Sequence, residues 1–241
     1  MVKKTFISLV DTGAPSAPTG YRTLIERTYG LLREDILTGR LAPGEKLLVE
    51  HLKDRYDVGA GTLREALSRL VSDAMVSAEG QRGFTVAHIT IEELVDITNL
   101  RVSVETEALR ASIRQADTNW RNQLRNAYDT LSALEQPLIS ANAKQWEVAN
   151  AKFHEALLSG CGSPWTLRVI RQLTQHCERY RRFAIGLQSG RDVHAEHAFI
   201  FESAMAGQDA RAALALESHI RATPELIIQT IENGTDVFRQ V

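Results

Sequence analysis

Three histidines lie on three separate stretches of helical periodicity: His154 in "WEVANAKFHEALL", His197 in "VHAEHAFIFESAM" and His219 in "ALALESHIRA". Neutral imidazole suits zinc, nickel, iron and similar ions, so three imidazoles converging from three helices could hold a divalent metal. Asn150 precedes His154 by four residues and shares its helix face; its amide oxygen is a neutral donor, poorer for a hard cation than a carboxylate. The competing reading is that each is an ordinary surface or satisfied core histidine. Arg101, in "NLRVSVE", carries a guanidinium that can grip a carboxylate through two parallel hydrogen bonds, or can pair with Glu105 one turn on. His176 and His194 read as ordinary helix residues, although His194 sits three residues before His197 and could reach a cavity edge.

A histidine-bound metal with an open position also describes a zinc hydrolase. The HExxH pattern of such enzymes is absent, and Glu155 and Glu196 are sequence neighbours of the candidate ligands, about 100° away on their helices. No general base is evident, and the enzyme reading is the weaker one.

A second chemistry lies in "DVGAGTLREALSRL", Asp57 to Leu70. Unpaired backbone N–H groups and the positive end of the macrodipole at a helix start attract phosphate, and side chains there would hold the backbone away. Gly59, Ala60 and Gly61 allow close approach, Thr62 adds a hydroxyl, and Arg64 can reach a base edge or a phosphate. Alternatively the glycines merely make the turn.

The elements that must position these residues follow from periodicity and turn signals. Leu48, Val49 and Leu52 mark a short helix ending near Tyr56. Asp57, Val58 and Gly59 separate it from a helix whose apolar face is Leu63, Ala66, Leu67 and Leu70. Upstream, Leu24 to Leu37 form a helix ended by Gly39. Downstream, Met75 to Ala78 and Phe84 to His88 read as strands joined by the basic turn Gly80-Gln81-Arg82-Gly83. This is a winged helix-turn-helix. Thr90 and Glu93 then form a capping box for a helix through Ala108. Further helices are expected near 119–135, 143–159, 164–187, 193–206 and 210–233, the last interrupted at Pro224. The carboxy-terminal part is therefore an all-α antiparallel helical bundle, a fold that commonly houses ligands in its core.

The segments "ILTGRLAPGEKL", "LREALSRLVSDAMV" and "QRGFTV" resemble the GntR family of bacterial transcription regulators. "LRVSVETEALRAS", "FHEALL" and "EHAFIFESAMAGQDARAALALESHI" are similar to the FCD ligand-binding domain of its FadR subfamily. The resemblance implies a dimer on double-stranded palindromic operator DNA, read by Arg64 and Arg82 with Gln81 in the wing. It also implies a metal at His154, His197 and His219, with Asn150 where the family carries a carboxylate, and Arg101 facing the ligand cavity. Where many members have Ser-Arg or Thr-Arg, this chain has Gly59-Ala60 and lacks the arginine implied to read a guanine. "GYRTL", "DRYDVGAGTLREALSRLV" and "SGCGSPW" resemble carbon-starvation-induced repressors linked to glutarate and 2-hydroxyglutarate catabolism, which implies a small carboxylate effector.

The 241 residues suit two domains, and 44% hydrophobic composition supplies real cores. The expected division is a flexible arm over 1–20, a DNA-binding domain over 21–88 and an effector domain over 89–241. The net charge of −2 argues against a non-specific polyanion binder. Residues 1–88 carry 12 basic and 11 acidic side chains, so DNA contact must rest on a local patch. No apolar run approaches the roughly 20 residues that span a bilayer. The two cysteines, Cys161 and Cys177, form no disulfide framework and suit a cytoplasmic setting.

Overall fold

The computed structural model describes residues 21–78, 83–88, 90–136, 142–185 and 191–233. The arm over 1–20 and the wing residues Gln81 and Arg82 lie outside them. The elements run α1 (Leu24–Leu37), β1 (Lys46–Leu47), α2 (Val49–Tyr56), α3 (Ala60–Ser72), β2 (Val76–Ala78) and β3 (Phe84–Val86). They continue as α4 (Ile91–Arg114), α5 (Thr118–Glu135), α6 (Ala143–Leu158), α7 (Pro164–Ile185), α8 (Val193–Met205) and α9 (Asp209–Glu232).

The expected face of α3 is its buried one: Leu63, Ala66, Leu67 and Leu70 are fully buried against Leu32, Ile36, Leu41 and Leu52. Burial of each leucine contributes about 1.5–3 kcal/mol. Asp35 locks α1 to α2, accepting hydrogen bonds from Arg40 (2.7 Å), Arg55 (3.0 Å) and the Tyr56 hydroxyl (2.5 Å). The two strands expected for the wing are joined by a third. Lys46–Leu47 pairs antiparallel with β3, giving the order β1-β3-β2, with Leu47 opposite Phe84 and Val76 opposite Val86. Two residues show no period of their own, so this strand had no sequence signal.

A separate core binds α4 to α9, built around Phe153, Leu109, Leu124, Leu131, Ile200 and Leu216. Thr90 caps α4, its hydroxyl accepting from the Glu93 N–H at 3.1 Å. α4 packs on α9, α7 and α6, while α5 packs on α6 and α8. The expected interruption at Pro224 does not occur, because α9 runs through it. Proline removes one helical donor, that for the Ile220 carbonyl, but Ile220, Pro224 and Ile227 are all buried, and their packing carries the helix across the gap.

α7 also meets the amino-terminal part. Arg33 on α1 pairs with Glu178 at 2.5 Å, and Arg179 donates to the Ala87 carbonyl at 3.0 Å. The Tyr180 hydroxyl lies 3.3 Å from both the Thr90 carbonyl and a Glu93 oxygen.

Candidate functional site

The start of α3 is open. Gly59 is its N-cap at φ −70, with no side-chain cap, and Gly61 does not adopt positive φ. A Cβ added at either would meet nothing within 4 Å. The left-handed residue of the turn is Asp57, at φ 52, an aspartate tolerating what most L residues avoid. So neither glycine is demanded by a left-handed backbone or by crowding from neighbouring atoms. Gly59, Gly61 and Arg64 are exposed, and Ala60 and Thr62 half-exposed, beside one another on the surface.

In the helical part, His154 on α6, His197 on α8 and His219 on α9 come together, with one potential ligand nitrogen from each lying within 4.8 Å of the others. The rings of His197 and His219 have centroids 4.6 Å apart, and Phe153 sets its edge against both His154 and His197. His197 Nδ1 lies 2.7 Å from Glu135 at the end of α5, and His219 Nδ1 lies 2.7 Å from Glu196. An anionic acceptor at Nδ1 holds the proton there and leaves Nε2 bare, the arrangement that orients metal-ligating histidines. The His197 Nε2, His154 Nδ1 and Asn150 Oδ1 atoms are buried without a hydrogen-bond partner among the described residues. Buried polar atoms without partners are costly and rare; here they belong to two members of the histidine cluster and to Asn150, which lines a cavity with His154. The residues present therefore fit a cation that prefers neutral nitrogen donors.

Electrostatics point the same way. Burial holds the His154 and His219 imidazoles well below their ordinary range, and the neighbouring imidazoles and Arg101 add to it. Both are neutral at pH 7. Burial opposes the charge of Arg101, but Glu105 and Cys177 outweigh it and raise its value.

Arg101 is buried and lines the same cavity as Asn150, His154, Cys177, Arg181 and His219. It also makes the pair with Glu105 that was the competing expectation, its Nε at 2.6 Å and an Nη at 3.3 Å from the two oxygens. Both readings of Arg101 meet in one side chain.

Several residues escaped sequence reasoning. Glu196 is not turned away from the site; it reaches across to His219 on the next helix and is clamped by Arg191 at 2.7 and 2.6 Å. An angle measured on one helix says nothing about the helix packed beside it. Glu135 binds His197, His194 (3.3 Å) and the Trp146 indole (2.9 Å), so His194 belongs to the support of the site. Arg181 lines the cavity while paired with the buried Glu147 at 3.2 Å. His176 is half-buried, where burial lowers its value against the opposing pull of Glu93 and Asp73.

Comparison with known proteins gives two consecutive matches. Residues 24–86 match the bacterial regulatory proteins, gntR family, and residues 96–222 match the FCD domain. The chain is 40% identical over 220 residues to an uncharacterized HTH-type transcriptional regulator, BphR, of Paraburkholderia xenovorans, covering 90% of each. It is 32% identical to the HTH-type transcriptional repressor GlaR of Escherichia coli, over 86% of this chain and 96% of that one. Among solved structures, E. coli McbR/YncC superposes with a TM-score of 0.70 at 18% identity, over 88% of this chain and all of that one. That likeness speaks for the fold alone.

Proposed function

The chain belongs to the gntR family of bacterial regulatory proteins, with an FCD domain in its helical half, and from that premise we propose that it is a metal-loaded repressor answering to a small carboxylate. It is a DNA-binding transcriptional regulator and not an enzyme, as are the relatives named above. The repressor reading draws on the relative printed as a repressor at 32% identity.

In this reading residues 21–88 bind DNA and 89–241 bind the effector, and a homodimer places two winged domains on a palindromic operator. Gly59, Ala60, Gly61 and Thr62 present backbone and hydroxyl to phosphate. Arg64 reads a base edge, and Gln81 and Arg82 belong to the wing. His154, His197, His219 and Asn150 hold a divalent ion, zinc in the first place and nickel or iron next. Bound there, the ion supplies a Lewis acid for a carboxylate oxygen. Arg101 offers its remaining N–H groups to the effector, for which glutarate and 2-hydroxyglutarate are the candidates. Among the described residues no helix is long and apolar enough to cross a membrane, which accords with a cytoplasmic regulator.

The observation that carries the site is the trio of buried polar atoms on His154, His197 and Asn150 without hydrogen-bond partners among the described residues. α4 and α7 are the coupling elements: Thr98 and Arg101 on α4, and Thr174, Cys177 and Arg181 on α7, line the cavity, while both helices touch the connector between the two parts. An effector shifts operator affinity only through its differential affinity for two states, typically 5- to 150-fold.

One observation favours a second reading. The Arg101 fork is already filled by Glu105, which suits a regulator sensing the metal alone. Calorimetry of the zinc-loaded chain with glutarate separates the two: heat lost in Arg101→Ala supports the carboxylate sensor, and no heat for any small acid supports metal sensing. For DNA, Arg64→Ala weakens a specific operator far more than random duplex; equal losses would remove its base-reading role.

A further inference from the structure

The charges around the histidine cluster are unevenly matched. Glu105 is paired with Arg101, Glu147 with Arg181 and Glu196 with Arg191. Glu135 is the one carboxylate at the cluster whose described partners, two histidines and an indole, include no arginine. The donors aimed into the site, three imidazoles and the Asn150 amide oxygen, carry no charge. A divalent ion there meets at most one uncompensated negative charge, in a place shielded from water, where residual charge is expensive.

We propose that Asn150 makes metal binding conditional on an anion: the protein withholds the negative charge that an aspartate at this position would supply, and one small carboxylate completes it. The inference rests on the metal reading above. Its consequence is a coincidence detector, in which ion and carboxylate each bind weakly alone and strengthen one another by the same factor, as linkage requires. A single carboxylate suffices, because a single negative charge balances the account left by Glu135.

The test measures the zinc dissociation constant of the full chain against a chromophoric chelator, with and without acetate. Wild type is expected to bind zinc about 5- to 150-fold more tightly with acetate. Calorimetry should find acetate strengthened by the same factor on the zinc-loaded protein. Asn150→Asp, close in shape, binds zinc more tightly without acetate and gains little from it. Asn150→Ala binds zinc more weakly and keeps the acetate effect, which separates charge from lost packing. Zinc affinity indifferent to acetate, an undiminished acetate effect in Asn150→Asp, or coupling with glutarate but none with acetate overturns the proposal while leaving the metal reading standing. No zinc binding under any of these conditions removes the metal reading, and this inference with it.

Discussion

Arg33 on α1 and Glu178 on α7 meet at 2.5 Å with their side chains 22% and 14% exposed, so an ion pair sheltered from solvent ties the helix-turn-helix part to a helix that also lines the cavity beside the histidines. A double-mutant cycle of Arg33→Ala and Glu178→Ala in chemical denaturation should return a coupling of about 1–2 kcal/mol, above the usual value for surface pairs. Hydrogen exchange should rise in α1 and stay unchanged in α9. A coupling near zero would mean that the pair adds nothing to stability.

Gly61→Ala separates folding from DNA contact. The added methyl meets nothing within 4 Å, and alanine in the first turn of a helix is favoured over glycine by up to about 0.5 kcal/mol, less than in a helix interior. The variant should therefore unfold at higher denaturant yet bind operator about tenfold more weakly, the loss of one phosphate hydrogen bond. Unchanged operator affinity in a gel-shift titration would show that backbone approach at this position is not used.

Glu135→Gln tests the support of the proposed metal site. Glutamine can offer its N–H to His197 Nδ1, which moves the ring proton toward Nε2 and blocks the donor. Zinc affinity should fall about 10- to 100-fold, as for other residues that orient metal-bound histidines. Trp146→Phe removes a different hydrogen bond to the same carboxylate, and a comparable fall there would assign the effect to packing instead.

The metal-free protein should lose stability in mild acid. Burial lowers His176, and it lowers His154 and His219 well below the ordinary 6.5. As pH falls through about 6.5 the unfolded chain takes up protons that the folded chain still refuses, so the stability present above 6.5 is lost progressively until the folded values are reached. Denaturant midpoints from about pH 8 to pH 5.5 should fall, and less steeply in His176→Gln. A flat profile would mean that these rings take up their protons at the same pH in the folded chain as in the unfolded one.

Much of this architecture was legible because each helix carries its own period. The face of α3, the cap at Thr90 and the Pro164 start of α7 all appear within two turns of chain. Pro224 misled, since a proline's local cost is visible in sequence whereas the packing of Ile220 and Ile227 around it is not. The histidines could be named from their helices, but Glu135 and Glu196 could not. Each acts across an interface between helices, His197 lying 62 residues from Glu135, and no period connects them. Arg101 shows the same limit differently: its i,i+4 partner was foreseeable, its share in the cavity wall only by likeness.

Between α2 and α3 the chain reverses at Asp57, two residues before the first exposed glycine. The residue that bends the backbone is thus not one of those proposed to face a duplex. Gly59 and Gly61 have open space where a side chain would begin, so substitutions at these two positions can alter the exposed tip of α3 while the turn at Asp57 beneath it stays as it is.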